Sequence, residues 1–167
     1  MMPNIKFKKI KLNLIIILII FFADRISKVY ILELAEFGGN VDVYITPYLS
    51  LYLIWNKGIA FGLLSFDASS IYNTITFIII GIVLIISVMI IKSNGFKKYC
   101  LISIFAGSLG NLFDRIYYTA VPDFIDIHMG DFHWFIFNVA DIFISLGVLC
   151  LILAEVFFNK EKKNEIK

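Results

Sequence analysis

Five aspartates, Asp24, Asp114, Asp123, Asp126 and Asp141, lie at or near the same end of long apolar stretches. An aspartate at the centre of a membrane helix costs on the order of 2.5–3.5 kcal/mol, so carboxylates kept beside such stretches are functional candidates. Asn111, Asp114 and Arg115 are three and four residues apart, as are Asp24, Ser27 and Lys28, and Asn138 with Asp141. On a helix each group projects a polar patch from one face. Asp123 follows Pro122 in a loop that returns directly into the stretch carrying Asp141. Two carboxylates held together there cannot both ionise, so one keeps its proton while the other activates water. That chemistry is hydrolysis without a metal. His128 and His133 have no third nitrogen or sulfur ligand at useful spacing, and they read as interfacial histidines.

The elements that position these groups are membrane helices. The chain of 167 residues is 60% hydrophobic and only 17% charged, and four stretches approach the roughly 20 residues that cross a bilayer as helix. They run about 10–32, 71–91, 99–118 and 137–158, and make one integral membrane domain over 1–167. Counting about 1.5 Å per residue from the lysine-rich end, Asp24, Asp114 and Asp141 all lie roughly 20–25 Å up their helices, in one layer. Gly107, Ser108 and Gly110 give a small-residue surface for close helix approach.

Lysine placement orients the chain. Eleven of the fifteen basic residues precede the first span, fill the loop at Lys92, Lys97 and Lys98, or make the tail, which puts both termini in the cytoplasm. These lysines are topology signals and anionic-lipid contacts, with no case for nucleic acid. The opening resembles a signal peptide in shape, but no good cleavage site follows Ala23 and an uncleaved first span is expected. Cys100 and Cys150 lack metal-ligand spacing and read as structural thiols. The segment of about 38–66 is rich in β-formers, notably Val41 to Ile45 and Leu49 to Leu53, so a small sheet is expected on the outer face. The stretch Thr119 to Trp134 reads as a loop, with Tyr117, Tyr118 and Trp134 as an interfacial belt.

Taken in order, Asp24-Arg25-Ile26-Ser27-Lys28, Asn56-Lys57-Gly58-Ile59-Ala60-Phe61-Gly62, Gly110-Asn111-Leu112-Phe113-Asp114-Arg115, Val121-Pro122-Asp123-Phe124-Ile125-Asp126 and Phe137-Asn138-Val139-Ala140-Asp141 resemble the motifs of the bacterial lipoprotein signal peptidases, signal peptidase II. The resemblance spans nearly the whole chain. It implies a mainly α membrane protein with four transmembrane helices and a small β-rich cradle on the outer face. It further implies an aspartyl endopeptidase that removes signal peptides from prolipoproteins, cutting before a cysteine that carries diacylglycerol. Asp123 and Asp141 would be catalytic, with Asp24, Lys28, Asn56, Gly58, Asn111, Asp114, Arg115 and Asn138 binding substrate or supporting the site. Partners would be lipid-modified prolipoproteins and membrane phospholipid, with no cofactor, in a monomer of the bacterial cytoplasmic (inner) membrane. Arg25 and Ser27 stand where the family pattern has Gln and Thr, and Pro122 precedes the first catalytic residue. Two rivals follow from the residues alone: a metal-dependent lipid head-group transferase, whose carboxylates would hold Mg²⁺, and a proton or ion carrier using Asp24, Asp114 and Asp141 as a relay.

Overall fold

The computed structural model describes residues 5–58 and 68–164. The elements run α1 (Ile5–Gly38), β1 (Asp42–Thr46), β2 (Leu49–Asn56), α2 (Ala68–Lys92), α3 (Gly95–Tyr118), β3 (Val121–Met129), β4 (Phe132–Phe137) and α4 (Val139–Asn164). Helices cover the four apolar stretches except at Phe137 and Asn138: the last stretch was expected to turn helical at Phe137, which instead closes β4. The segments Ser70–Lys92 and Val139–Phe157, with mean hydropathies of 3.0 and 2.3, are long and apolar enough to cross a membrane. On α2 Phe77, Leu84, Ile85 and Ile91 are left mostly uncovered by protein. Such a surface needs an apolar solvent. Helices α1 and α3 are interrupted by charge, and those charges are the ones turned into the protein: Asp24, Lys28 and Asp114 are fully buried.

The four strands form one antiparallel sheet in the order β1-β2-β3-β4. The hairpin at Thr46 and Pro47 matches the expected β-rich segment, although the part of that segment beyond Gly58 lies outside the described residues, as does the motif stretch Ile59-Ala60-Phe61-Gly62. The stretch read as a loop from Thr119 to Trp134 is instead the hairpin of β3 and β4, turning at Gly130 with φ +59. Its period of two is real: Phe124, Asp126 and His128 turn inward while Ile125, Ile127 and Met129 turn outward. The inward positions include a carboxylate and an imidazole, so the alternation is one of burial and not of hydrophobicity. Ile31, Val41 and Phe124 form a core with Leu51, Leu53 and Val139, and this seats the sheet against the end of α1.

Helix α3 packs against all three other helices, most closely α4, and does so through glycine. A Cβ on Gly107 would meet the backbone oxygen of Ala140 at 2.6 Å, and one on Gly147 would meet that of Cys100 at 2.9 Å. Ser103 Oγ adds a hydrogen bond to Phe143 O at 2.8 Å. Further from the sheet, Ile86, Leu101 and Ile104 fill the helix interface with Phe105, Ile144 and Leu151.

Because the obstacle at Gly107 is backbone and cannot rotate away, Gly107→Ala is expected to push α4 outward and cost about 1–3 kcal/mol. Thermal unfolding in detergent, compared with the control Gly81→Ala, whose added Cβ meets nothing within 4 Å, measures it.

Candidate active site

The start of α4 is where the site is assembled. The first turn of any helix leaves backbone N–H groups without partners, and here side chains supply them. Asn138 Oδ1 accepts from Asp141 N at 3.1 Å while Asp141 Oδ2 accepts from Asn138 N at 3.2 Å, a reciprocal capping box. Ala140 N donates to Asp24 Oδ1 of α1 at 2.9 Å. Asp141 thus sits on the first turn of α4, where the helix dipole favours negative charge.

Asp24 is held in turn by Lys28, one helical turn along α1. Lys28 Nζ donates to Asp24 Oδ2 at 2.9 Å, to Asn111 Oδ1 at 2.9 Å and to Asp114 Oδ2 at 2.6 Å, so all three of its protons are used. Arg25 bridges to Asp24 and Asp114 and lies over the Phe113 ring, 4.9 Å from its centroid. A Cβ on Gly110 would stand 2.5 Å from Asp24 Oδ2, so only glycine lets α1 bring its carboxylate this close to α3.

Three asparagines then face the two candidate catalytic carboxylates, and each has its orientation dictated from behind. Lys28 occupies the oxygen of Asn111, so its Nδ2 points at Asp141 Oδ1, 2.8 Å away. Gly58 N occupies the oxygen of Asn56 at 2.7 Å, and Asn56 Nδ2 reaches Asp123 Oδ2 at 2.9 Å. Asp141 N occupies the oxygen of Asn138, whose Nδ2 reaches Asp123 Oδ1 at 2.6 Å. Asn138 therefore contacts both carboxylates. Asp123, on β3, is almost fully buried, and its pKa is raised to about 6. Burial is the main cause and the charge of Asp141 adds to it, while the hydrogen bonds from Asn56 and Asn138 and the charge of Lys28 pull the other way.

Asp123 and Asp141 share a cavity of about 280 Å³. Its polar lining is Asn56, Asn111, Asn138 and Arg115; its apolar lining includes Ile79, Ile82 and Val83 of α2 and Ile144 of α4. Arg115 Nη1 is buried there without a hydrogen-bond partner among the described residues. Its guanidinium lies 5.5 Å from the Tyr72 ring centroid, and a Cβ on Gly58 would meet its Nη2 at 2.6 Å.

The residues expected to bind or support converge, with one correction. Asp114 and Arg115 were expected to share a helix face. They do not, because consecutive residues point about 100° apart on a helix: Asp114 pairs with Lys28 and Arg25, while Arg115 turns into the cavity. Asp126 stays apart, on the strand face that carries Phe124, beside His128 and His133. Arg25, Tyr72 and the α2 wall were not identified from sequence as parts of the site. Arg25 could have been, being adjacent to Asp24, whereas the wall residues are indistinguishable from other lipid-facing isoleucines. The metal-binding rival loses its ligands here, since the charges of Asp24 and Asp114 are already matched by Lys28 and Arg25. Away from the site, Glu155 of α4 pairs with Lys97 of α3 at 3.1 Å.

A family model described as "Signal peptidase (SPase) II" matches residues 16–157. A lipoprotein signal peptidase of Pelagibacter ubique (strain HTCC1062) is 57% identical, covering 98% of this chain and 99% of its own. Another, from Aquifex aeolicus (strain VF5), is 38% identical over 98% of this chain and 96% of its own. Among solved structures, one bacterial membrane enzyme superposes with a TM-score of 0.71 at 30% identity, covering 87% of this chain and 92% of that one. A second does so with a TM-score of 0.70 at 27% identity, covering 92% of each.

The shared ammonium yields a stability prediction. Lys28→Met keeps the length of the side chain but leaves two fully buried carboxylates with Arg25 as their remaining cation. Removing one partner of a buried ion pair costs about 3–5 kcal/mol, and a loss of that size is expected in detergent unfolding. A loss below about 1 kcal/mol would mean the network is solvated.

Proposed function

The chain belongs to the signal peptidase II family of membrane aspartic endopeptidases, and on that premise we propose that Asp123 and Asp141 are the dyad that hydrolyses the scissile bond. The enzyme removes the signal peptides of prolipoproteins. The observation that carries the assignment is the pair's common set of supports: Asn138 contacts both carboxylates, and both line one cavity whose walls combine polar and apolar side chains.

In this reading Asp123 holds the proton and Asp141, on the first turn of α4, is the base. Asp141 takes a proton from water as the oxygen attacks the scissile carbonyl, and Asp123 gives its proton to the carbonyl oxygen. Collapse of the tetrahedral diol breaks the C–N bond. A proton returns to the departing nitrogen, leaving the signal peptide as a carboxylate and a new amino terminus on the cysteine. The unpartnered Nη1 of Arg115 offers a donor to a backbone carbonyl of the substrate beside the reacting bond. Ile79, Ile82 and Val83 suit the apolar flank of a signal helix or the acyl chains on the cysteine. Asp24, Lys28 and Asp114 act from behind the dyad, and Asn111, which lines the cavity, holds Asp141 in place. Gly58 fixes Asn56.

We also place all four helices across the membrane in a monomer, with both termini in the cytoplasm and the sheet on the outer face. The lysine distribution supports this orientation, and water then reaches the dyad from the side of the sheet while the substrate helix and phospholipid approach laterally. The four-residue charge network on α1 and α3 is compatible with spanning because its charges are turned inward and paired.

Asp123→Asn and Asp141→Asn are each expected to lower turnover of a diacylglyceryl-cysteine peptide by at least about 10³-fold while leaving unfolding temperature and substrate binding near those of the wild type. Substantial turnover by either variant would reassign the dyad.

The pH profile should be bell-shaped, with apparent pKa values belonging to the pair. With Asp123 as the acid, activity falls as pH rises through its pKa, near 6 in the free enzyme. The hydrogen bond from Asn56 favours the charged form, so Asn56→Ala should move this alkaline limb of kcat/KM upward by about one unit. A downward shift would mean Asp123 is not the protonated member.

A further inference from the structure

Outside the peptidase cavity, the chain brings its only two histidines face to face across the β3–β4 hairpin. His128 and His133 are register partners, their ring centroids 5.4 Å apart, and Asp126 lies beneath them on β3. One ligand atom from each of these residues can be chosen so that all three lie within 4.8 Å of one another. We propose that Asp126, His128 and His133 form a binding site for a divalent transition metal of the zinc class.

The distances suit that class. Donors bound tetrahedrally at about 2.0–2.1 Å from zinc stand about 3.3 Å from each other. His128 Nδ1 is 3.4 Å from Asp126 Oδ2, and His133 Nδ1 is 2.8 Å from the same oxygen. The first separation already fits; the second is the length of the hydrogen bond that joins His133 to Asp126, which an ion would replace with about 0.5 Å of opening by a side chain that is more than half exposed. Among the described residues two polar atoms of the group are buried without hydrogen-bond partners, His128 Nδ1 and the second carboxylate oxygen, Asp126 Oδ1, and Asp126 is only 1% exposed. A buried polar atom with an unmet lone pair is a costly feature, and an ion held between His128 Nδ1 and Asp126 Oδ2 would give the imidazole nitrogen the partner it lacks. Two imidazoles and one carboxylate, with the fourth position open toward solvent past His133, make a set that favours zinc over magnesium, which prefers oxygen and water ligands. Sequence spacing excluded a third nitrogen or sulfur donor, and the third donor here is an oxygen.

The site is separate from the dyad. Asp126 is three residues beyond Asp123 on β3 and on the opposite strand face, and its metal would take no part in peptide hydrolysis. What it would do is pin β3 to β4, the hairpin that connects the strand carrying Asp123 to the cap of the helix carrying Asp141.

The test uses the full chain in detergent micelles, purified through a tag without histidine, stripped with a chelator and titrated with Zn²⁺ alone. Uptake of about one equivalent is expected, with a rise in unfolding temperature. His133→Ala and His128→Ala should each weaken binding by at least about tenfold and lose the thermal rise. Turnover of a lipidated peptide by the stripped variants reports that they are folded. Equal uptake by wild type and the His128→Ala/His133→Ala double variant, or no stoichiometric uptake by a folded wild type, overturns the proposal. Displacement of bound Zn²⁺ by millimolar Mg²⁺ would overturn the assignment of metal class.

Discussion

One ammonium group holds this molecule in register. Lys28 Nζ has three protons and three acceptors, from α1 itself and from two positions of α3, and none of the residues it binds can be moved without leaving a buried charge. Asp24, relieved of one oxygen by Lys28, has the other free for the backbone of α4. The three helices are therefore tied at one level by side chains that water does not reach. In a medium where an unpaired charge is so expensive, the network has one arrangement, and the catalytic geometry inherits that uniqueness.

The same logic sets the asparagines. A primary amide can face a carboxylate with its nitrogen or, flipped, with its oxygen, and the two differ by a repulsive contact. Each of the three amides has its oxygen claimed by a fixed donor, the ammonium of Lys28, the N–H of Gly58 or the N–H of Asp141. Donors consequently converge on Asp123 and Asp141 from all three. In the proposed reading Asp123 and Asp141 face the substrate, while the fully buried Asp24, Lys28 and Asp114 stand behind them.

Much of this was legible in the chain. The four-residue spacing of Asp24 and Lys28 and the common depth of the carboxylates located the layer, and the β-branched alternation after Gly39 located the first hairpin. The second hairpin was not legible, because Asp126 and His128 occupy inward positions where a pattern reader looks for hydrocarbon. The adjacency of Asp114 and Arg115 also misled: a shared motif suggested a shared face, which helix geometry forbids. The capping box at Asn138 and Asp141 has a short sequence signature, yet it was read only as a polar patch. Which apolar residues of α2 wall the cavity depends on how that helix is rotated against α3, and periodicity alone does not fix that angle.

Asp123 stands on a strand and Asp141 on a helix terminus, and although Asn138 touches both, the other groups around them differ. In the proposed mechanism the two carboxylates are therefore not related by the two-fold axis of a dyad built from two similar halves. The tetrahedral carbon formed on hydrolysis bears two oxygens that meet different residues, so the site is inherently handed. A molecule imitating that carbon with a single hydroxyl would be recognised chiefly as one stereoisomer, and its mirror configuration would turn the hydroxyl toward the wrong carboxylate.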